Sequence, residues 1–445
     1  MARLPHIPLI ACFLIGTQLQ GQTGPETLSL DQAIQLALNA NRQLKISGIA
    51  AKKIDDQIGS LRTKRLPALS FSVLGAEKLT HIDFLFARGS LGVYPNVGPI
   101  PDKNISIQSG FTPTAIIMAS AGQPLTQLRK IRLNLEMLKL GSALAVEQTR
   151  EQRQSLVNQI KKLYYGILQS QSALESIEES IRLYQELERI TAQYVAQQTA
   201  LKSQNLEMQS RLQKAEYDAL SLRNPLETQK EQLNSLMARD IRTDFRVQAV
   251  PEISGQEMDL EAARKLALER RSELQSARIR HKQAEQDKRI KRSEYIPDVS
   301  LVVNYLAPIG LGSLIPSNIA TAGIQFSWEP YDWGRKKHEL AEKDKTIEQA
   351  SLAITETENQ LLIEVGSRYR KLEETRKLLT VARAGQALAT ENVRVATNRL
   401  KEESALLKDV LHAQASLAEA NNQYRQALLG FWSAKADFEK AIGEE

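Results

Sequence analysis

The side chains able to do chemistry in this sequence are few and scattered. His6, His81, His281, His338 and His412 are its five histidines, and none has the spacing that turns two imidazoles toward one metal ion or one nucleophile. His281 and His338 stand in charged helical stretches, where solvation is the expected state. The pairs Glu373-Glu374 and Glu402-Glu403 could supply an acid and a base, but in segments so rich in charge they read as solvent-facing. Gly310-Leu311-Gly312 lacks the further glycine and the strand-to-helix setting of a phosphate-cradling loop. No catalytic residue, cofactor site or metal site is therefore expected.

Charge is abundant but mixed in sign. The chain has 58 basic and 52 acidic residues, a net charge of +6, and the two signs alternate at helical spacing. That pattern makes solvated helix faces rather than a phosphate-binding patch, so no nucleic-acid partner is expected. Aromatic residues make up only 5% of the chain and charged residues 25%, the composition of long helices and coiled coils rather than of a compact enzyme.

Residues 1–22 read as a signal peptide, because the apolar run from Ile7 to Gly16 is too short to span a bilayer. Cys12, the only cysteine, lies inside this leader. Leu9-Ile10-Ala11-Cys12 also has the look of a lipoprotein cleavage box, although few residues precede it. After cleavage at the end of the leader the mature chain would carry no thiol, leaving packing and assembly to supply its stability.

The elements that position everything else come in duplicate. The segment Leu28 to Leu44 returns as Met258 to Leu274, and the register continues to Pro67 and Pro297 at a constant offset of 230 residues. After each proline an alternating run predicts a strand, and a second apolar stretch follows it. Then come Pro124 to Gln197 and Pro330 to Glu402, without a further proline and with apolar residues at helical spacing. The shorter helices expected at Leu206 to Ala238 and Leu411 to Ile442 cover only about half of each long one. The leading helices, Asp31 to Lys64 and Leu260 to Ser293, are the right length to cover the remainder. This divides the chain into a first repeat, 23–240, with a β-hairpin at 67–123 and a helical hairpin at 124–240. A linker at 241–259 leads to a second repeat, 260–443, with a β-hairpin at 297–329 and a helical hairpin at 330–442.

Charge is also informative where it is missing. No charged residue occurs between Val299 and Trp328, or between Asn104 and Leu128. Prolines and glycines interrupt both stretches, so neither suits a transmembrane helix. Strands of about ten residues at Pro67 to Ala76, Thr114 to Gln123, Pro297 to Leu306 and Ile319 to Trp328 suit a transmembrane barrel, with Glu77 to Pro113 as an outer loop. Four strands cannot close a barrel in lipid, so copies of the chain must share one. A soluble four-stranded β-domain would account for the alternation but not for the uncharged stretches. Trp328, Tyr331 and Trp333 fit a membrane-interface belt or a packing cap under the sheet.

These residues resemble the outer-membrane efflux proteins typified by TolC. The resemblance is carried by the repeated helix at Leu28 to Leu44, by Trp328-Glu329-Pro330-Tyr331-Asp332-Trp333-Gly334-Arg335 and its weaker copy Gln123 to Arg129, and by Asp409-Val410-Leu411-His412-Ala413-Gln414 with its first-half partner from Leu206. It implies a mainly α fold in which duplicated helical hairpins form a trimeric α-barrel. Four strands per protomer would enter a shared 12-stranded barrel in the outer membrane, with a long periplasmic extension. It further implies a homotrimer that meets a periplasmic adaptor protein and an inner-membrane pump, in a tripartite efflux or type I secretion system. Docking tips are implied at Gln198, Thr199, Ala200, Leu201, Glu403, Ser404, Ala405 and Leu406, and a periplasmic gate at Asp409, His412 and Gln204. The family usually places glycine where Gln198 and Glu403 stand, which implies a tip turn of different backbone geometry. Asp409 also stands where an aspartate caps a returning helix, and both roles remain open. The expected function is a passive exit duct opened by adaptor docking; the alternative is a periplasmic coiled-coil scaffold or adaptor without a pore.

Overall fold

A computed structural model describes residues 26–77, 82–109, 113–198, 201–250, 258–310, 316–402 and 407–444. The leader with Cys12 and His6, together with His81, Leu311 and Gly312, lies outside these residues. The first half of the chain runs β1 (Glu26–Leu28), α1 (Leu30–Ala40), α2 (Arg42–Thr63), β2 (Ala68–Glu77), β3 (Ile82–Phe86), β4 (Val93–Tyr94), β5 (Gly98–Pro99), β6 (Ile105–Ser109), β7 (Pro113–Pro124), α3 (Gln127–Ala196) and α4 (Lys202–Leu236). The second runs β8 (Phe245–Val247), α5 (Leu260–Arg270), α6 (Ser272–Ser293), β9 (Asp298–Ile309), β10 (Ile319–Ser327), α7 (Arg335–Lys401) and α8 (Leu407–Ala441). At 70 residues α3 is about 105 Å long. No described helix is long and apolar enough to cross a membrane.

The leading helices, expected to be continuous, are each broken once. Asn41 separates α1 from α2 and Arg271 separates α5 from α6, each with ψ near 125° instead of a helical value. Apolar periodicity runs through both breaks, which is why the pattern alone reads as one helix. Their cause is a capping duty. Asn41 Nδ2 donates to Leu236 O at the end of α4, at 2.8 Å. Arg271, equivalent in the repeat, donates from Nη1 to Ala441 O at the end of α8, at 3.0 Å. A helix leaves its last carbonyls unsatisfied, and in each half a break residue answers one of them.

Two compact units form. The first is built from described residues within Met1–Arg42, Leu156–Glu257 and Lys371–Asp437. There β1 and β8 make a parallel pair, an element absent from the sequence-based reading of 241–259 as a plain linker. The Tyr164 hydroxyl lies 2.9 Å from Leu28 O and 2.8 Å from Gln248 O, tying that pair to α3. Burial pushes its phenol pKa up to about 12. Gln229 of α4 accepts from Ser170 of α3 at 3.1 Å, so the later part of α3 pairs with α4.

The second unit is built within Gln43–Ser155, Met258–Arg370 and Phe438–Glu445. It holds an antiparallel sheet of order β10-β9-β7-β2. Here α6 is shared: Gln286 donates to Leu133 O of α3, while Lys291 reaches Glu339 and Arg278 reaches Glu358 of α7. The segment expected as an irregular outer loop, Glu77 to Pro113, instead contains β3 paired with β6 and β4 paired with β5. Its glycine and proline content mark the turns of these ribbons rather than a loop throughout.

Arg271 is the most demanding side chain of this unit, since its head is only 5% exposed and also meets Glu273 at 2.7 Å and Glu364 at 2.9 Å. Burial alone would raise the Glu273 pKa, but the hydrogen bond and charge of Arg271 outweigh it and hold the carboxyl below its ordinary value of 4.5. A depressed carboxyl contributes stability above that ordinary value and loses it as pH falls through the folded pKa. Arg271→Ala should destabilise the folded protein by about 3 kcal/mol at neutral pH, at the low end for a buried pair because Glu364 is partly exposed. It should also remove the part of the acid-side stability loss due to Glu273. Thermal unfolding in detergent at pH 7 and pH 4 checks both effects.

Candidate functional site

The sheet carries a different chemistry on each face, which follows from strand alternation and register. Residues directly opposite one another in an antiparallel sheet project to the same side. One side therefore carries the rows Leu69–Ala121–Val303–Ala322, Phe71–Ala119–Tyr305–Ala320 and Val73–Ile117–Ala307, with Leu301–Ile324 and Val299–Phe326 toward the helices. The other is mixed: it carries Ser70–Ser120–Asn304–Thr321 and, nearer the helices, Ser300–Gln325, but also Ala68–Gly122–Val302–Gly323, Ser72–Met118–Leu306–Ile319 and Leu74–Ile116–Pro308, while Gln123 joins the Leu301–Ile324 row of the first side. Ser70 and Ser120 share a hydrogen bond of 2.7 Å across that polar row. The apolar side is left bare: Leu69 is 81% exposed and Phe71 71%.

Both outer edges of the sheet, on β2 and β10, have no partner strand among the described residues. The helices that continue from those edge strands have apolar seams in the open as well. Ile46 and Ile49 of α2 are exposed, and so are Leu352 and Ile363 of α7. Their spacings of three and eleven residues each keep both side chains on one face of the helix.

At the base of the sheet the chain changes from strand to helix under tight control. Thr126 Oγ1 donates to Pro297 O at 2.7 Å and accepts from Val299 N at 2.8 Å, while Lys130 pairs with Asp298 at 2.7 Å. In the second half Asp332 caps α7, accepting from Gly334 N at 3.1 Å and Lys336 N at 3.0 Å. These backbone donors hold its carboxyl below the usual range. The cap requires left-handed backbone at Trp333, φ 57°, and at Gly334, φ 85°. It turns the Trp333 indole outward, 86% exposed, against Tyr331 with ring centroids 4.9 Å apart. Trp328 is likewise exposed. Three aromatic rings are thus exposed at the junction of strand and helix.

At the opposite ends of the long helices, α3 stops at Ala196 and α4 starts at Lys202. Gln198 has φ 59°, so this connector keeps the left-handed conformation that the missing glycine was expected to remove. A side chain held there costs roughly 1–2 kcal/mol. Leu201 is exposed, and its N–H donates to Gln204 Oε1 at 3.3 Å. Gln204 thus spends its side chain on the turn that begins α4. Asp409 lies in the first turn of α8, with exposed His412 three residues on along the same helix. Thr199, Ala200, Glu403, Ser404, Ala405 and Leu406 lie outside the described residues. Among the described residues there is no cluster of three or more His, Cys, Asp or Glu that could hold a metal ion.

The described structure is a four-stranded sheet with one apolar face, one mixed face and two open edges, together with duplicated long helices. Residues 263–444 match the family described as outer membrane efflux protein. Comparison with curated proteins gives no significant match. Among solved structures, the fold is similar to the outer membrane protein VceC of Vibrio cholerae, with TM-score 0.70, 16% identity, and coverage of 93% of this chain and 96% of that one. It is also similar to CusC, with TM-score 0.73, 14% identity and coverage of 94% and 92%. For the Campylobacter jejuni CmeC outer membrane channel the values are 0.72, 16%, 93% and 85%. The second half of the chain thus resembles the outer membrane efflux proteins in sequence, and almost its whole length is similar in fold to these channels.

The two faces make opposite demands on a substitution. Val303→Arg, on the apolar side of β9, should cost about 2–4 kcal/mol in lipid and abolish stable membrane assembly. Asn304→Arg, one residue on and in the polar row of the mixed side, should still assemble. Heat-resistant oligomers on gels of outer-membrane fractions separate the two outcomes.

Proposed function

We propose that three copies of this chain close their sheets into one barrel of about twelve strands in the outer membrane, forming a passive exit duct with a helical periplasmic extension. The observation that carries this reading is the sheet with opposite faces and two open edges. Because every neighbouring pair in the order β10-β9-β7-β2 is antiparallel, β2 of one copy continues the ladder only if it meets β10 of the next. That head-to-tail contact preserves both faces and generates a ring. It also brings the exposed seam of α2 beside that of α7 on the neighbouring copy. The mixed side of the sheet, with its Ser70–Ser120–Asn304–Thr321 row, then lines the lumen and the apolar side meets lipid.

Transport through such a duct needs an energy source outside it. A periplasmic adaptor and an inner-membrane pump, of a tripartite efflux or type I secretion system, would supply it by docking at Gln198, Thr199, Ala200, Leu201, Glu403, Ser404, Ala405 and Leu406. Asp409 and His412 would form the periplasmic gate, where symmetry-related carboxylates near one axis attract cations. Gln204 contributes through the turn it stabilises. Trp328, Tyr331 and Trp333 would anchor the subunit at the membrane interface. A scaffold or adaptor without a pore offers no reason for a sheet with bare edges whose only charges, Glu77 and Asp298, stand at strand ends.

The test joins the edges covalently. Ser70→Cys in β2, combined in turn with Ile319→Cys, Thr321→Cys or Gly323→Cys in β10, should yield an oxidised trimer in membranes for at least one pair. If every pair remained monomeric while the protein still fractionated with the outer membrane, the shared barrel would be rejected.

A further inference from the structure

The base of the sheet holds a cavity for which the duct has no use. It is an open cleft of about 720 Å3, lined by Arg129 and Leu133 of α3, Arg289, Arg292 and Tyr295 at and after the end of α6, and Leu340 of α7, with the three arginines exposed to solvent. Nearby lysines are matched with acids: Lys130 with Asp298 at 2.7 Å, Lys291 with Glu339 at 2.9 Å, and Lys336 with Glu329 at 3.4 Å. Among the described residues no carboxylate pairs with Arg129, Arg289 or Arg292. These acids are committed to the lysines and to Arg335, which pairs with Glu329 at 2.6 Å and Glu339 at 3.3 Å, and three guanidinium groups are left around one cleft.

Like charges brought together repel unless an anion joins them, and guanidinium is the side chain best matched to a phosphate, through paired N–H donors. The cavity also has an apolar part in Leu133, Leu340 and the Tyr295 ring. Its height is fixed by the chain. Arg292 comes six residues before Asp298, the first residue of β9, and Asp298 pairs with Ser327, immediately before the exposed Trp328. The bare apolar side of the sheet begins at this level, with Val299 and Phe326. Phosphate-binding chemistry over an apolar floor, beside the rim of a lipid-facing surface, fits an amphiphile better than a free anion.

We propose that this cavity binds the phosphate of an anionic phospholipid from the leaflet that meets the helical end of the sheet, with Arg129, Arg289 and Arg292 around the headgroup. Basic pockets between membrane-embedded elements bind lipid headgroups in the same way. The inference rests on the membrane-inserted reading above. A bound headgroup would set the depth of each subunit alongside the aromatic belt.

The experiment uses the purified, delipidated full-length protein. Phosphatidylglycerol, phosphatidylcholine and inorganic phosphate are each titrated against it, with thermal midpoint and lipid retention in native mass spectra as the readouts. Phosphatidylglycerol should raise the midpoint and be retained, and phosphatidylcholine should do neither. The triple variant Arg129→Gln, Arg289→Gln, Arg292→Gln should lose affinity by on the order of fivefold per arginine. If it fails to assemble, the single variant Arg289→Gln is read in the same way. Wild-type retention by a folded variant would overturn the proposal, as would an equal midpoint shift with inorganic phosphate. Protein that floats with vesicles without preferring the anionic lipid would sink only the headgroup site. Protein that floats with neither vesicle would sink the duct reading and the site together.

Discussion

In hydrocarbon a peptide N–H or C=O without a partner costs several kcal/mol, because no water is there to take the bond. β2 and β10 each present a row of such groups, and no described element of the same chain covers them. The bare apolar face beside those rows makes retreat into water unfavourable as well. In the proposed barrel a sister copy would satisfy both requirements at once, pairing the edge and leaving the apolar side for lipid. The proposed oligomer would in this sense be a property of the sheet's chemistry, and the helices would have to permit it.

The helices meet that requirement by duplication. α1 and α5 each have 11 residues and α2 and α6 each have 22, so the two halves break at equivalent points of the repeat. Each break residue caps the returning helix of its own half, with an amide at Asn41 and a guanidinium at Arg271. The halves are not interchangeable, since Arg271 adds an ion-pair network with Glu273 and Glu364. Small buried side chains at Ala33, Ala37, Ala263 and Ala267 allow close packing around these joints.

Much of the fold was legible because its signals are physical requirements. A proline before each strand, period-two alternation and the absence of charge between Val299 and Trp328 all answer to a sheet in an apolar medium. The mainly helical fold was readable in the same way, while the likeness to TolC-type channels was carried by the repeated motifs at Leu28 to Leu44, Trp328 to Arg335 and Asp409 to Gln414. The breaks at Asn41 and Arg271 were not, since capping a distant helix end leaves no periodic trace. β8 is only three residues long, and the ribbon β3–β6 is hidden among glycines and prolines that read as loop. Gln198 shows the limit of residue-type reasoning, because a left-handed turn was kept without the glycine that usually supplies it. The gate and tip assignments rest on family resemblance alone, since one chain has no periodicity that marks a gate between copies.

Amide hydrogen exchange in the lipid-reconstituted protein reaches the central claim most directly, because it reports on the edge groups themselves. If sister copies close the barrel, the N–H groups of β2 and β10 that point away from their own sheet will be as strongly protected as those of the central strands β7 and β9. Rapid exchange along both edges, in protein shown to be inserted in the bilayer, would contradict the account.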